Sequence, residues 1–252
     1  MYKSCIYIVG DSYKDFAALE DVYTYTEALE LVQKNSNLLN SSFIVIGQGI
    51  NSKEKQALRT LELKNQIGFI LNRHHELVPQ KMSHKAKVHN TMISAPRVMQ
   101  EKKQFSAYLM LDDDCAEMSD HTTGMHIQGM IITEAARQMM LAVGEKYLLS
   151  TRLQGNAYFA LRQVNSKFYQ FGFPIEVKLV HEVKKIKQRV DTSIAETTTQ
   201  FIQNGILLAE VDIDYVACLK ESLSSKESLM ASNAVMKGKQ NNIFESYVEM
   251  YV

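Results

Sequence analysis

Cysteine is scarce in this chain. Its 252 residues include three, Cys5, Cys115 and Cys218, which lie far apart and outside any CxxC spacing. That excludes a disulfide framework and a cysteine-ligated zinc site, and it points to free thiols in a reducing compartment. Net charge is also missing, because 28 Lys plus Arg balance 28 Asp plus Glu. The overall balance therefore offers no electrostatic footprint for nucleic acid or for an anionic membrane, and neither is expected as a partner. No stretch approaches the ~18 consecutive apolar residues of a membrane-spanning helix. The apolar run before Gly10 is about five residues, too short for a signal peptide, so a cytoplasmic protein is expected. Full glycine fingerprints for phosphate, an HExxH pair and internal repeats are absent as well.

A hydrophobic content of 46% is ample for real cores. Two zones separate by pattern. Short apolar runs at residues 4–9, 43–47 and 67–71 alternate with helical patterns at 14–34 and 52–64. Strand and helix in alternation predict a small α/β unit with a parallel sheet over residues 1–80. From residue 81 the pattern changes. Strand candidates at 86–95 and 104–111 precede a strongly apolar helix at 127–143, and long β-type runs follow at 157–169, 174–188, 190–202 and 206–217. The simplest reading is an α+β domain over 81–218, a sheet wrapped around one buried helix. Residues 219–252 are polar, rich in serine and lysine, and read as a loose tail with a short amphipathic end, IFESYVEMYV, able to dock back.

The first zone holds one tempting stretch. Gly10, Asp11 and Ser12 fall at a strand-to-helix turn, where backbone amides cradle phosphates in some folds. Without a fuller fingerprint, Asp11 or Ser12 is read instead as a helix cap.

The helix at 127–143 raises the sharper question, since it carries Glu134, Arg137 and Gln138 amid apolar neighbours. With Leu141 these lie at i, i+3, i+4 and i+7, on one face. A local Glu134–Arg137 ion pair is the plain account. The functional account starts from cost: a buried carboxylate needs a partner, and desolvation raises its pKa towards the range of acid–base catalysis. Upstream, Asp120, His121 and Gly124 form a loop bearing an imidazole. Gly129, near the helix start, allows close approach to amides that favour an oxyanion such as a polarised thioester carbonyl.

His121, Gly124, Gly129, Glu134, Ala135 and Gln138 form a pattern that resembles the hotdog-fold β-hydroxyacyl-thioester dehydratases, with one residue fewer between the glycines and without their usual prolines. The chain is more similar to the A-factor biosynthesis hotdog family (AfsA-like). The residues that carry this likeness are His84 and Lys85, Pro96 and Arg97, Asp120 and His121, Gly129 and Met130, Glu134 and Ala135, and Arg137 and Gln138. It covers about residues 84–217. The resemblance implies a hotdog fold, with Glu134 on its central helix, and acyl-thioester chemistry. Members of the family transfer a β-ketoacyl group from a carrier protein to a small three-carbon phosphate on the way to butyrolactone signals. They have two tandem hotdogs and this chain shows one, which implies a homodimer with the active site across the interface and leaves the acceptor open.

On this reading the thioester, borne by an acyl carrier protein or CoA, rests its carbonyl on amides near Gly129. His121 and Glu134 handle protons, while Arg137 and Gln138 orient Glu134. No cofactor is expected beyond the carrier's phosphopantetheine. His84, Lys85 and Arg97 suit a phosphopantetheine arm or a phosphorylated acceptor, although solvated basic residues at strand ends are common. Met125, Met130, Met139 and Met140 suit an acyl tunnel or an ordinary core equally. His121, His126 and Glu134 lack a metal-binding spacing. The basic run Lys184, Lys185, Lys187 and Arg189 fits an acidic carrier or a lysine-protected strand edge. A dehydratase, a thioesterase and a non-catalytic acyl-binding module remain as alternatives.

Overall fold

A computed structural model describes residues 4–34, 37–71, 75–101, 103–119 and 123–240 of the chain. It opens with strand β1 (Cys5–Val9), two short 3-10 turns, strand β2 (Val22–Thr24), helices α1 (Tyr25–Gln33) and α2 (Asn37–Asn40), strand β3 (Phe43–Ile46) and helix α3 (Ser52–Leu63). β1 lies between β2 and β3, parallel to both. Helices α1 and α3 begin with capping boxes, Thr24 with Glu27 and Asn51 with Glu54, which satisfy backbone amides of the first turn. Ile6, Ile8, Leu39, Ile44, Leu58 and Ile70 fill the core of this unit.

Two expectations change here. The pattern at 14–34 is not one helix: Asp21 has φ 58°, which no right-handed helix accommodates, and β2 follows it before α1 begins. The run at 67–71 contributes a single parallel bridge, Ile44 to Ile70, instead of a strand.

After α4 (Gln80–Ser83) come β4 (Arg97–Gln100), β5 (Gln104–Tyr108), α5 (Ala116–Ser119) and α6 (Gly129–Val143). The strands β6 (Ala157–Phe168), β7 (Lys178–Gln188), β8 (Thr192–Gln203) and β9 (Ile206–Leu219) follow. The six strands form an antiparallel sheet in the order β4-β5-β7-β8-β9-β6. Alternate residues of β8 and β9 point inward onto α6, whose Ile131, Ala135, Ala136, Met139 and Leu141 are buried. Each fully buried large apolar side chain contributes about 1.5–3 kcal/mol, which holds the helix in the sheet. This is the hotdog arrangement.

The expected strand at 86–95 is instead a 3-10 turn, Val88–Asn90, followed by isolated bridges at Ile93 and Ser94. α6 starts at Gly129 because Ile127 bonds to Gly172 across the loop, and it continues into a π-helical turn, Gly144–Leu148. Beyond Val183, whose amide donates to Lys103 O, β7 is paired only with β8 among the described residues, so the basic run lies on an open edge, where Lys184 pairs with Asp212 and Lys185 with Glu196. The expected loose tail is a 21-residue helix, α7 (Lys220–Gln240), exposed along its length. The end IFESYVEMYV lies outside the described residues. No described helix is long and apolar enough to cross a membrane.

The two units share a seam of specific bonds. The Gln48 side chain donates to the carbonyls of Leu109 and Ile175 and accepts from the Leu111 amide, which closes a gap between hotdog segments. Val9, Tyr13, Phe16 and Val22 belong to the hotdog core cluster. Asp11 and Ser12 do not cap their own short turn. Asp11 instead accepts from the amide and hydroxyl of Thr26, and Ser12 donates its amide and hydroxyl to Asp113. A carboxylate of the hotdog unit thus meets the amide that the sequence offers to a ligand.

Candidate active site

Glu134 projects from the middle of α6 into a set of donors. Arg137, one turn on, grips it twice, with Nε to Oε2 at 2.7 Å and Nη2 to Oε1 at 2.8 Å. Gln138 Nε2 donates to Oε1 at 3.0 Å, and Lys85 Nζ lies 2.8 Å from the same oxygen. Lys85 bridges onward to Glu117 at 2.9 Å, and Glu117 accepts from the Cys115 thiol at 3.2 Å. The chain of charges therefore runs Arg137, Glu134, Lys85, Glu117.

Burial alone raises the pKa of Glu134, but the hydrogen bonds from Arg137 and Lys85 outweigh it and hold the carboxyl below its ordinary value. The expected upward shift is reversed, since desolvation acts on a carboxylate that is already paired. Lys85 shows the mirror effect. Burial pulls its pKa down, and Glu134 with Glu117 carries it above the usual lysine value. Near neutral pH, Glu134 is an ionised anchor without a proton to donate.

Gln138 is fully buried and serves the fold as well as the site. Its Oε1 accepts from Met92 N at 2.9 Å, and its Nε2 donates to Asn90 O at 2.9 Å, so one side chain ties α6 to the 90–92 segment and steadies Glu134.

The start of α6 opens on a cleft of about 760 Å³ lined by His126, Ile127, Gly129, Ile132 and the aromatic run Phe168–Phe173. Gln128 precedes the helix without a side-chain cap, so among the described residues no side chain bonds the first-turn amides at the positive end of the helix dipole. A Cβ on Gly129 would lie 3.0 Å from Phe168 Cζ, so the glycine lets the ring pack close against the helix start. Met130 is 71% exposed beside this mouth. His126 packs on Phe171 with centroids 4.6 Å apart.

His84 and Lys85 line a second groove, of about 530 Å³, with Lys81, Glu145, Tyr158, Phe159 and Lys220. His84 adopts φ 53° at the end of α4 and lies 3.2 Å from Glu145. Burial raises the Glu145 pKa, and His84 with the Gly155 amide more than reverses this, so Glu145 is ionised. Arg97 stands apart, on exposed β4, in a separate cavity beside Lys146 and Tyr147.

Gly124 has φ 73°, and a Cβ there would collide with the Asp15 carboxylate. The Phe16 amide donates to its carbonyl at 3.0 Å, and Phe16 stacks on Phe173. This glycine is a joint by which the first unit holds the loop leading into α6. Asp120 and His121 lie outside the described residues.

The structure thus brings Lys85, Glu134, Arg137 and Gln138 together, places Gly129 and Met130 at the cleft, and separates Arg97 and Gly124 from both. Sequence reasoning missed Glu117 and the aromatic wall. The wall left a signal, four aromatics in the six residues FYQFGF. Glu117 left none, because its role depends on Lys85, remote in sequence. Among the described residues, no group of three or more His, Cys, Asp or Glu is placed to hold a metal.

Comparison with known proteins places this geometry in a family. Residues 70–219, more than half of the chain, match the AfsA model, the A-factor biosynthesis hotdog domain. Among solved structures, a mutant thioesterase from Pseudomonas aeruginosa is 12% identical, with a TM-score of 0.40 over 58% of this chain and 97% of its own. A thioesterase from Haemophilus influenzae is 12% identical, with a TM-score of 0.38 over 56% of this chain and 87% of its own. No curated protein matches. The motif on α6, the antiparallel sheet around that helix and the matched span agree, and the chain belongs to the A-factor biosynthesis hotdog family.

Proposed function

We propose that this protein is an acyltransferase that acts on an acyl thioester delivered by an acyl carrier protein or CoA, in the making of a secondary metabolite or signal. The observation that carries this reading is the uncapped first turn of α6 opening on an apolar, aromatic cleft of about 760 Å³. Apolar walls take the acyl chain, and the amides near Gly129 stabilise the oxyanion that forms when the carbonyl is attacked. The acceptor hydroxyl adds to the thioester carbon, the C–O ester bond forms, the C–S bond breaks, and the hydroxyl proton leaves with the thiol. His121 is the proton carrier of this scheme. Glu134, ionised and gripped by Arg137, fixes the charges of Arg137 and Lys85 at the core of the site. Lys85 and His84 extend it into the second groove, where Lys81 and Lys220 add cationic surface for a phosphopantetheine arm.

The working form on this reading is a cytoplasmic homodimer without a cofactor of its own. β6 is an edge strand, paired only with β9 among the described residues, and it leaves Tyr158, Leu161, Val164 and Phe168 exposed. A long apolar edge is a template for another strand. Two-fold antiparallel pairing of β6 sets the Tyr158 end of one copy against the Phe168 end of the other. The cationic groove of one subunit then adjoins the acyl cleft of its partner.

The test is intact-mass analysis of an acyl carrier protein loaded with a β-ketoacyl or β-hydroxyacyl group, incubated with the protein with and without dihydroxyacetone phosphate. Acceptor-dependent unloading is expected. Loss of water would assign dehydration, unloading without acceptor would assign hydrolysis, and no change across chain lengths would leave an acyl-binding module.

A further inference from the structure

The face that α3 turns towards the hotdog unit carries two cations. In SKEKQALRTLEL, Lys55 and Arg59 stand at i and i+4, neighbours on one side of the helix, and the Asn51–Glu54 capping box fixes where that helix begins. Like charges at this spacing repel, and an exposed helix relieves this by letting both side chains swing into water. Here both side chains line the seam between the two units, Lys55 half-buried and Arg59 exposed.

Two cavities, of about 60 and 190 Å³, share Lys55, Arg59, His75 and Met110 as walls. The larger is lined on one side by Leu77, Val88 and Leu111 and holds several waters' worth of space, at about 30 Å³ each. The Lys55 ammonium makes no hydrogen bond or ion pair among the described residues. Burial pulls its pKa down, with the Asp112 carboxylate acting against that shift and Arg59 reinforcing it. Two acids line the seam, and both have other partners: Glu176 lies 3.2 Å from His75 Nε2, and Asp112 accepts from the Asp114 amide at 2.9 Å. The His75 ring is stacked on Tyr108 at 3.8 Å, which fixes its position on the wall.

A half-buried cation with an adjacent guanidinium, facing a cleft with one apolar side, is the complement of a small anion with a short body. Clefts between folded units are preferred places for such ligands. We propose that the seam between α3 and the 109–112 segment of the hotdog unit is a binding site for a small oxyanion, phosphate or a short-chain carboxylate, held by Lys55 and Arg59 beside His75. The site is distinct from the cleft at α6 and from the groove at His84, and it is independent of the acyl-transfer reading. Thr91 on its wall lies between Asn90 and Met92, whose backbones Gln138 clamps, so a bound anion sits beside the segment that positions Glu134.

The experiment follows thermal unfolding of the full-length protein in sodium phosphate, sodium butyrate and sodium chloride at matched ionic strength. Saturable stabilisation by phosphate or butyrate, and none by chloride, is expected, and the arm that saturates at the lower concentration identifies the ligand class. Lys55→Met should weaken that ligand at least tenfold, and Lys55→Arg should retain most of the affinity. The ligand-free Lys55→Met protein should be as stable as the wild type, because it loses a cation that lacks a bonded partner. The proposal is overturned if neither oxyanion gives saturable stabilisation. It is equally overturned if the response survives Lys55→Met, or disappears in Lys81→Ala, which would place the anion in the other groove.

Discussion

Replacing Glu134 with glutamine removes the one negative charge that Arg137, Lys85 and Gln138 all approach. The side chain keeps its shape, but its amide group now faces donors. Lys85 retains Glu117, whereas Arg137 is left without its acid. Side-chain exposures of 17% for Glu134 and 15% for Lys85 put the pair largely inside, while Arg137 at 30% keeps some water. Breaking a fully buried pair costs about 3–5 kcal/mol. With Arg137 partly solvated and Lys85 still paired, we expect about 2–3 kcal/mol, or a Tm lower by roughly 4–12 °C for a chain of this size.

The pH dependence gives an independent check. The folded-state pKa of Glu134 is lowered from 4.5, so its stabilisation is fully present above that unfolded value and is lost as pH falls through the folded one. Urea unfolding of wild type and Glu134→Gln should therefore show a constant gap from pH 5 to 8 that closes in acid. A gap below about 0.5 kcal/mol at pH 7, the scale of an ordinary surface change, refutes the network's energetic role. So does a gap that persists unchanged at pH 3.

Other perturbations bear on the remaining parts. Gly124→Ala forces a side chain into φ 73° against Asp15 and should cost about 1–3 kcal/mol in chemical unfolding; an unchanged midpoint would remove the joint between the units. Gly129→Ala pushes a methyl towards Phe168 at the cleft mouth, so KM for an acyl thioester should rise roughly three- to tenfold with the fold intact, and an unchanged KM would move the acyl site elsewhere. Leu161→Lys on the β6 edge should convert a dimer to a monomer in sedimentation, and an unaltered dimer would exclude this edge as the interface. Burial holds the His181 pKa down at about 3, so the unfolded chain takes up this proton first as pH falls below about 6.5. Stability should decline across that window, less steeply in His181→Gln; identical slopes would show that His181 contributes nothing to acid sensitivity.

Much of the architecture was legible because it rests on local periodicity. β6, β8 and β9 lie close to their predicted spans, and α6 begins two residues late only because Ile127 is drawn into a bridge with Gly172. Misreadings came where the chain is irregular. Residues 14–24 look helical but bend at Asp21, and residues 86–95 look like a strand but carry a 3-10 turn. The serine-rich helix α7 has no apolar face to announce it. At the site, the i, i+3, i+4 spacing of Glu134, Arg137 and Gln138 correctly predicted a shared face, since helix geometry fixes those neighbours.

The charge state of that face was not legible. From the sequence alone, a carboxylate on an apolar helix has a raised pKa; in the fold, Lys85 arrives from a distant loop and helps to lower it. The same holds for Asp113 beside Ser12, Asp15 beneath Gly124 and the Gln48 plug between hotdog segments. By itself, the sequence determined the long strands β6 to β9, the buried helix and the family motif, since composition and short-range spacing carry these. Only the tertiary structure decided which charges meet, which amides stay open and where the two units join, because desolvation and Coulomb energy depend on distance in space and not on separation along the chain.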